Sequence, residues 1–304
     1  MKRYILSSIS ILIVFIFFVS PGLSAERICY EDFEAVTLGN IPEYDPTGSG
    51  EISRAGRAFY HLTQHFDDAN PRGFVDVGGT HGKVARAEVG PYTGDQSYSE
   101  PKFRWDDTIG NGTEVYFKWD MRMGASLCSD NPTCDIEQRE FYKYKLFKIS
   151  PTDTAATGVR GATLNLMPNS QYSWYGWGGN EYYFTNADTK ISNTIWGTDW
   201  HTFEVYIEIG SYVSTADNDF SVSNDTTVKL WIDRVLVLED NHVPIRRTAD
   251  FAGIRSVGFV RHVQAAGIYT LVGGNLDFDN LEVWDGIPPS NALPSPPSGL
   301  KIVD

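Results

Sequence analysis

Lys118, Arg122, Arg139, Lys143, Lys145 and Lys148 crowd two segments, Glu114–Met123 and 139–149, of a chain whose formal net charge is −14. Positive side chains gathered on neighbouring strands of an acidic protein make a local surface for an anion. A second group is aromatic: Tyr172, Trp174, Tyr175, Trp177, Tyr182 and Tyr183 are interspersed with Gly176, Gly178 and Gly179. Glycines disfavour regular structure, so this stretch is expected to be a long loop. Its rings either stack on sugars, which share their apolar face and polar rim, or fold over one another as a small satellite core. A third group is carboxylate. Asp277 and Asp279, with Asn280, interrupt an otherwise apolar segment, and Asp32 and Glu34 belong to the first one. A hard cation takes about 6–8 oxygens. With the first and last strands side by side, these four acids are candidate ligands of a structural calcium; otherwise they are acids on an exposed edge. No organic cofactor is implied. Cys128 and Cys134 bracket Ser-Asp-Asn-Pro-Thr, a loop short enough for one disulfide in an oxidising compartment. A metal pair is the competing reading, but no His or further Cys lies nearby. Cys29 reads as a small buried apolar residue.

Strands must position these groups. Val115, Phe117, Trp119, Met121 and Met123 alternate with Glu114, Tyr116, Lys118, Asp120 and Arg122. His201, Phe203, Val205, Ile207 and Ile209 alternate with Thr202, Glu204, Tyr206 and Glu208, which gives His201 a structural place on an apolar face. Val228, Leu230 and Ile232 alternate with Lys229, Trp231 and Asp233. A period of two sets one face on a core and the other toward solvent. Lys143 with Lys145, and Arg86 with Glu88, fall on single sides of their strands, so the cations are expected to share one open polar face. Asn111-Gly112 signals a tight turn, read ahead of the glycosylation sequon that Asn111-Gly112-Thr113 also spells, as does Asn224-Asp225-Thr226; residues 61–69 are at best a short helix. Strand after strand without crossover helices predicts an all-β, antiparallel β-sandwich.

Residues 1–25 stand apart. Lys2 and Arg3, the apolar run from Ile5 to Val19, and the small residues Ser24 and Ala25 read as a cleavable secretory signal. The run is shorter than the roughly 20 residues of a membrane-spanning helix. The protein is therefore expected to be secreted or periplasmic, with no membrane span after cleavage. Losing Lys2 and Arg3 takes the formal charge from −14 to −16, which argues against a nucleic-acid partner. Residues 26–286 form one expected domain. Pro288, Pro289, Pro294, Pro296 and Pro297 mark 287–304 as an extended tail.

Five segments follow one another in a familiar order: Tyr30-Glu31-Asp32-Phe33-Glu34, then Gly82-Lys83-Val84-Ala85-Arg86-Ala87-Glu88-Val89, then Trp200-His201-Thr202-Phe203-Glu204-Val205. Val228 to Val237 and Leu276 to Trp284 complete it. The order resembles the concanavalin A-like lectin/glucanase jelly roll, most of all its polysaccharide-lyase branches, alginate lyase-like and heparin lyase-like, over about residues 28–286. The resemblance implies a jelly-roll sandwich, a polysaccharide partner that is anionic in those branches, and frequently a structural calcium. Alginate-lyase-like members carry an Arg-x-Glu-Leu strand, and Arg86-Ala87-Glu88-Val89 is similar. Their Gln-x-His strand has no match, and Lys145-Leu146-Phe147-Lys148 stands in its place. Their Tyr-x-Lys-Ala-Gly-x-Tyr strand is echoed by Ala266-Gly267-Ile268-Tyr269 without the Lys. The glucanase Glu-x-Asp-x-Glu pattern is approached only at Asp135-Ile136-Glu137, with Thr133 in the first place, so a glycoside hydrolase is the more distant alternative.

A lyase needs a group that removes the proton beside a uronate carboxylate, and donors that neutralise that carboxylate as charge develops. Lys145, Tyr206 and His81 are the candidate proton acceptors. Arg86, Glu88, Lys118, Lys143, Asn165, Trp174 and Trp177 are the candidate substrate contacts. The alternative is a noncatalytic, lectin-like extracellular protein on the same fold, or an ordinary polar sheet face in which Glu88, Glu204 and Glu208 partner the cations.

Overall fold

The alternating segments become two large antiparallel sheets. The computed structural model describes residues 25–40, 52–54, 57–62, 72–89, 92–93, 97–105, 114–123, 143–150, 162–166, 172–175, 181–184, 199–211, 220–248, 254, 256–264, 270–271 and 274–289. The strands within them begin with β1 (Arg27–Glu31), β2 (Gly39–Asn40), β3 (Ile52–Arg54), β4 (Arg57–Leu62), β5 (Arg72–Asp76), β6 (Lys83–Val89) and β7 (Tyr92–Thr93). They continue with β8 (Ser97–Trp105), β9 (Glu114–Met123), β10 (Lys143–Ser150), β11 (Ala162–Leu166), β12 (Tyr172–Tyr175) and β13 (Glu181–Tyr183). The last are β14 (His201–Glu208), β15 (Phe220–Ile232), β16 (Val235–Thr248), β17 (Ser256–Gln264), β18 (Thr270–Leu271) and β19 (Gly274–Trp284).

The first sheet runs β16-β15-β14-β9-β19-β6-β5-β2, with β1 also on β19; the second runs β13-β12-β11-β10-β17-β8-β4-β3, and β18 pairs with β7. The chain passes repeatedly from one sheet to the other, and β6 touches β17 between them. The architecture is the expected antiparallel β-sandwich. First and last strands do lie side by side, with Tyr30 opposite Glu282. Among the described residues no helix is long and apolar enough to cross a membrane.

Register explains the core. Trp119 stands opposite Phe203, and Phe203 opposite Ile232; Phe117 stands opposite Val205, and Val205 opposite Leu230. All six are buried, and Trp119 stacks on both Phe117 and Phe203 at 4.9 and 5.3 Å. Each such side chain removed from water contributes roughly 1.5–3 kcal/mol. Two local devices keep the pattern in step. In β19 the pairing with β9 slips between Asp279 and Glu282, and Asn280 takes a φ of 50°. This bulge resets the two-residue alternation. Asp277 and Asp279 share a face with Arg122 and Asp120, while Phe278, Leu281 and Val283 all enter the core. Asn tolerates the left-handed conformation that a bulge asks for. Between β15 and β16, Asp233 and Arg234 both have positive φ, 50° and 67°, the tight turn that matches strand twist. The Asp233 carboxylate accepts bonds from the Thr202 amide at 2.9 Å and His201 Nδ1 at 2.7 Å, tying the turn to the start of β14. Burial pushes that carboxyl up, but the two bonds outweigh it and hold it below its ordinary range.

Three expectations need correction. The cations of β9 and β10 do not share one face, because β9 belongs to the first sheet and β10 to the second. The aromatic stretch is not a single long loop: Tyr172–Tyr175 and Glu181–Tyr183 pair as a hairpin. The glycines sit between them, leaving aromatic residues of high strand propensity on either side. His61 and Leu62 end strand β4 rather than start a helix. The signal segment, Asn111-Gly112, Cys128, Cys134, Asp135 to Glu137, Trp177 and the tail beyond residue 289 lie outside the described residues.

Candidate functional site

On the second sheet, β10 sets Lys145 opposite Asn165 of β11 on one side and opposite His262 of β17 on the other. His262 stands opposite Tyr98 of β8, and Asn165 opposite Ser173 of β12. Directly opposed residues of antiparallel strands share a face, so Tyr98, His262, Lys145, Asn165 and Ser173 form one row across five strands. Lys143, opposite Gln264, lies two residues along on the same face. A register shift between Lys145 and Phe147 then returns Lys148, opposite Thr163 and Gly258, to that face. Lys102 joins it from β8, opposite Gly258. The alternate positions carry Tyr144, Phe147 and Ile149, level with Leu166, Leu164 and Val257.

Trp174 is placed differently from the expectation. It stands opposite Leu164 and Tyr182, on the apolar face rather than the lysine face. The Tyr182 hydroxyl donates to Asp240 Oδ2 of β16 at 2.8 Å, so this is the face turned toward the first sheet. The row of Lys145 belongs to the opposite one.

The remaining candidates lie on the first sheet. Arg86 donates from Nε and Nη2 to the two oxygens of Asp277 at 2.6 and 2.9 Å, and Arg122 Nε adds a bond at 2.9 Å. Lys118 donates to Glu282 Oε1 at 2.9 Å. Glu88 sits further along β6, opposite Asn275. The Tyr206 hydroxyl contacts Glu114 and Glu208 at 3.2 and 3.3 Å. Burial first, then both carboxylates, raise its pKa well above the ordinary value. That environment keeps a neutral phenol, which suits a hydrogen-bond donor and not a proton acceptor. Tyr116 donates likewise to buried Glu204 and is raised for the same reasons.

His81 is the best-formed candidate on this sheet. Its Nδ1 meets Asp279 Oδ2 at 2.7 Å, and its ring stacks on Trp200 with centroids 3.8 Å apart. The Arg122 guanidinium lies 4.9 Å from the same indole. His81 precedes β6 and Trp200 precedes β14, yet β9 and β19 separate those strands. The indole therefore reaches over both strands and roofs Asp277 and Asp279, which are 1 and 2% exposed. Asp279 Oδ1 is buried without a hydrogen bond. Burial pushes its carboxyl up to about 6, with Asp120 adding to the rise and the His81 bond opposing it.

The four expected calcium ligands do not form a cage. Both Asp277 oxygens hold guanidinium groups. Asp32 accepts the Glu34 amide at 3.2 Å, and Glu34 the Lys83 amide at 3.0 Å. Among the described residues no group of three or more His, Cys, Asp or Glu is arranged to hold a metal.

No family model and no curated protein matches the chain. Among solved structures it is similar to alginate lyase Aly36B, at 16% identity over 86% of this chain and 96% of that one, with a TM-score of 0.37. It is similar to alginate lyase vAL-1 from Chlorella virus at 11% identity over 71% and 90%, TM-score 0.46. A third is the binding domain of Paraclostridial Mosquitocidal Protein 1, at 10% identity over 84% and 50%, TM-score 0.41. Likenesses at this level leave the site to be read from its own residues.

Sequence reasoning missed His262, Tyr98 and Trp200. His262 lies between Arg261 and Val263 in a segment whose alternation is interrupted, and Tyr98 in one broken by Pro101. Only strand pairing, of β17 with β8 and with β10, brings the two beside Lys145 and Asn165.

Proposed function

We propose that the protein acts on a polysaccharide, as a lyase that cleaves an acidic glycan by β-elimination at the Tyr98–His262–Lys145–Asn165 row. The observation that carries this reading is the register that gathers a histidine, a lysine, an asparagine and a tyrosine on one lysine-rich face. An imidazole titrates near neutral pH and is the natural acceptor for the proton beside a uronate carboxylate. Lys145 and Asn165 are donors of the kind that hold that carboxylate while charge moves into it. Tyr98 can donate to the departing glycosidic oxygen. The C–O bond breaks, a C=C bond forms, the proton taken by His262 passes to solvent, and Tyr98 regains one from solvent, so both groups are restored and no further reactant is needed.

Turnover would appear as ultraviolet absorbance of the unsaturated uronate, screened across alginate, pectate, glucuronan and heparin-like polymers. His262→Ala and Lys145→Ala are expected to lower it by at least about 100-fold, the scale of a lost general base, while Tyr206→Phe leaves it near wild type. No absorbance on any of these polymers, or an active His262→Ala protein, defeats the proposal. The second reading is noncatalytic capture of an anionic polymer, favoured by Lys102, Lys143, Lys145 and Lys148 on one face. Its signature is salt-sensitive binding without turnover.

A further inference from the structure

The first sheet has an opening of its own. Lys118, Asp120, Asn280, Glu282, Tyr30 and Arg234 line a groove of about 270 Å3, with Glu204 and Thr202 at its wall. We propose that this groove binds a neutral, hydroxyl-rich sugar unit, at a site separate from the lysine row on the second sheet.

The groove interleaves donors and acceptors, the pairing a diol can engage. Lys118 has three N–H donors and gives one to Glu282 Oε1 at 2.9 Å. The other Glu282 oxygen takes Trp284 Nε1 at 3.1 Å. Asp120 accepts from Thr202 Oγ1 at 2.6 Å and Asn280 Nδ2 at 2.8 Å, one bond on each oxygen. A carboxylate has about four acceptor positions, so Asp120 and Glu282 each keep capacity beside a lysine that also keeps some. A sugar hydroxyl both donates and accepts. Two vicinal hydroxyls can therefore bridge Lys118 to Glu282 or Asp120 without breaking the pairs already present.

Charge selects the class of sugar. Asp120, Glu204 and Glu282 outnumber Lys118 and Arg234 around the groove, so an anionic unit meets net repulsion where a neutral one does not. Tyr30 supplies the apolar surface. The residue is 42% exposed, and its ring is braced by the Arg27 guanidinium 5.2 Å from the centroid. Aromatic rings with a polar tip suit the mixed surface of a sugar. The hydroxyl stays protonated, because burial first and then Asp32, Asp279 and Glu282 raise its pKa, and it points to Asn280 Oδ1 at 3.3 Å. The volume falls just below the range of about 300–1,000 Å3 typical of small-molecule pockets, which fits one sugar unit of a longer chain.

The test is calorimetric titration of the protein with neutral hexaoses (cello-, malto-, laminari- and manno-oligosaccharides) and with oligogalacturonate. Saturable binding of at least one neutral hexaose is expected. Tyr30→Ala and the charge-balanced pair Lys118→Met with Glu282→Gln should each weaken it by about tenfold or more, equivalent to ~1.4 kcal/mol. His262→Ala, on the other sheet, should leave it unchanged, so loss of β-elimination and loss of this binding are independent results. Tyr30→Ala alters an exposed ring and keeps the test open if the double variant does not fold. The proposal is overturned if no neutral hexaose binds, if Tyr30→Ala binds like wild type, or if His262→Ala abolishes the neutral binding. Oligogalacturonate competing at the groove more strongly than the neutral sugar also overturns it.

Discussion

Asp279→Asn isolates the cost of burying a carboxylate beneath the His81–Trp200 roof. Burial pushes this carboxyl from 3.8 up to about 6 in the folded protein. Between those values the native state holds a proton that the unfolded chain has released. The stability this proton contributes is complete below about pH 4 and is lost as pH rises through about 6. A gap of about two pH units is worth ~3 kcal/mol, and with Asp279 2% exposed solvent screening takes little from it. Asparagine keeps an oxygen for the His81 Nδ1–H and does not titrate. Urea unfolding of both proteins from about pH 4 to about pH 7 gives the difference in stability between them. Wild type should lose ground to the variant by ~1.4 kcal/mol per pH unit across that window and run parallel to it above. His81 and Asp120 also face this carboxyl, so the series is repeated with His81→Gln in both backgrounds to separate the imidazole's share. Parallel curves throughout, or a wild type that gains on the variant as pH rises, would refute the reasoning and make the His81 pair the stronger influence.

Asp277→Ala should cost about 3–5 kcal/mol, because it leaves two part-buried guanidinium groups without their carboxylate. Adding Arg86→Met and Arg122→Met should recover part of that in thermal melts, and a loss under about 1 kcal/mol would contradict the pairing. Asn280→Val should be less stable than Asn280→Gly by about 1–2 kcal/mol, since both lose the bonds to Asp120 and Asp279 but only valine strains at positive φ. Equal melting temperatures would place the bulge elsewhere. Asp233→Ala should destabilise by roughly 1–2 kcal/mol through loss of its bonds to His201 and Thr202, measurable by urea unfolding at neutral pH.

What the sequence made legible was period-two information. Glu114–Met123 and His201–Glu208 are strands with the expected faces inward, because each residue's fate there depends on its immediate neighbours. Assignment to sheets depends on pairing, which local pattern does not encode. Lys118 and Lys145 read alike in sequence and stand on different sheets. Bulges are invisible to alternation for the same reason: Asn280 and Leu146 are each one residue too many for a strict repeat. The functional row suffered most. Lys145 and Asn165 carried a recognisable chemical type, whereas His262 becomes informative only once β17 is laid against β10.

Strand β19 does not lie at an edge. It sits between β9 and β6 and also receives β1. Without it the first sheet falls into two fragments, β16-β15-β14-β9 and β6-β5-β2, with no strand to join them. The chain must therefore be made as far as Gly274–Trp284 before this sheet can close, and the closing pairings are among the most distant in sequence among the described strands. Such topology folds slowly. A nascent or C-terminally shortened chain lacking Gly274–Trp284 would expose the unpaired backbone of β9 and β6 at once, two open templates for aggregation. A chain interrupted before β19 would thus carry its own sticky edges, the kind of surface that chaperones and proteases engage.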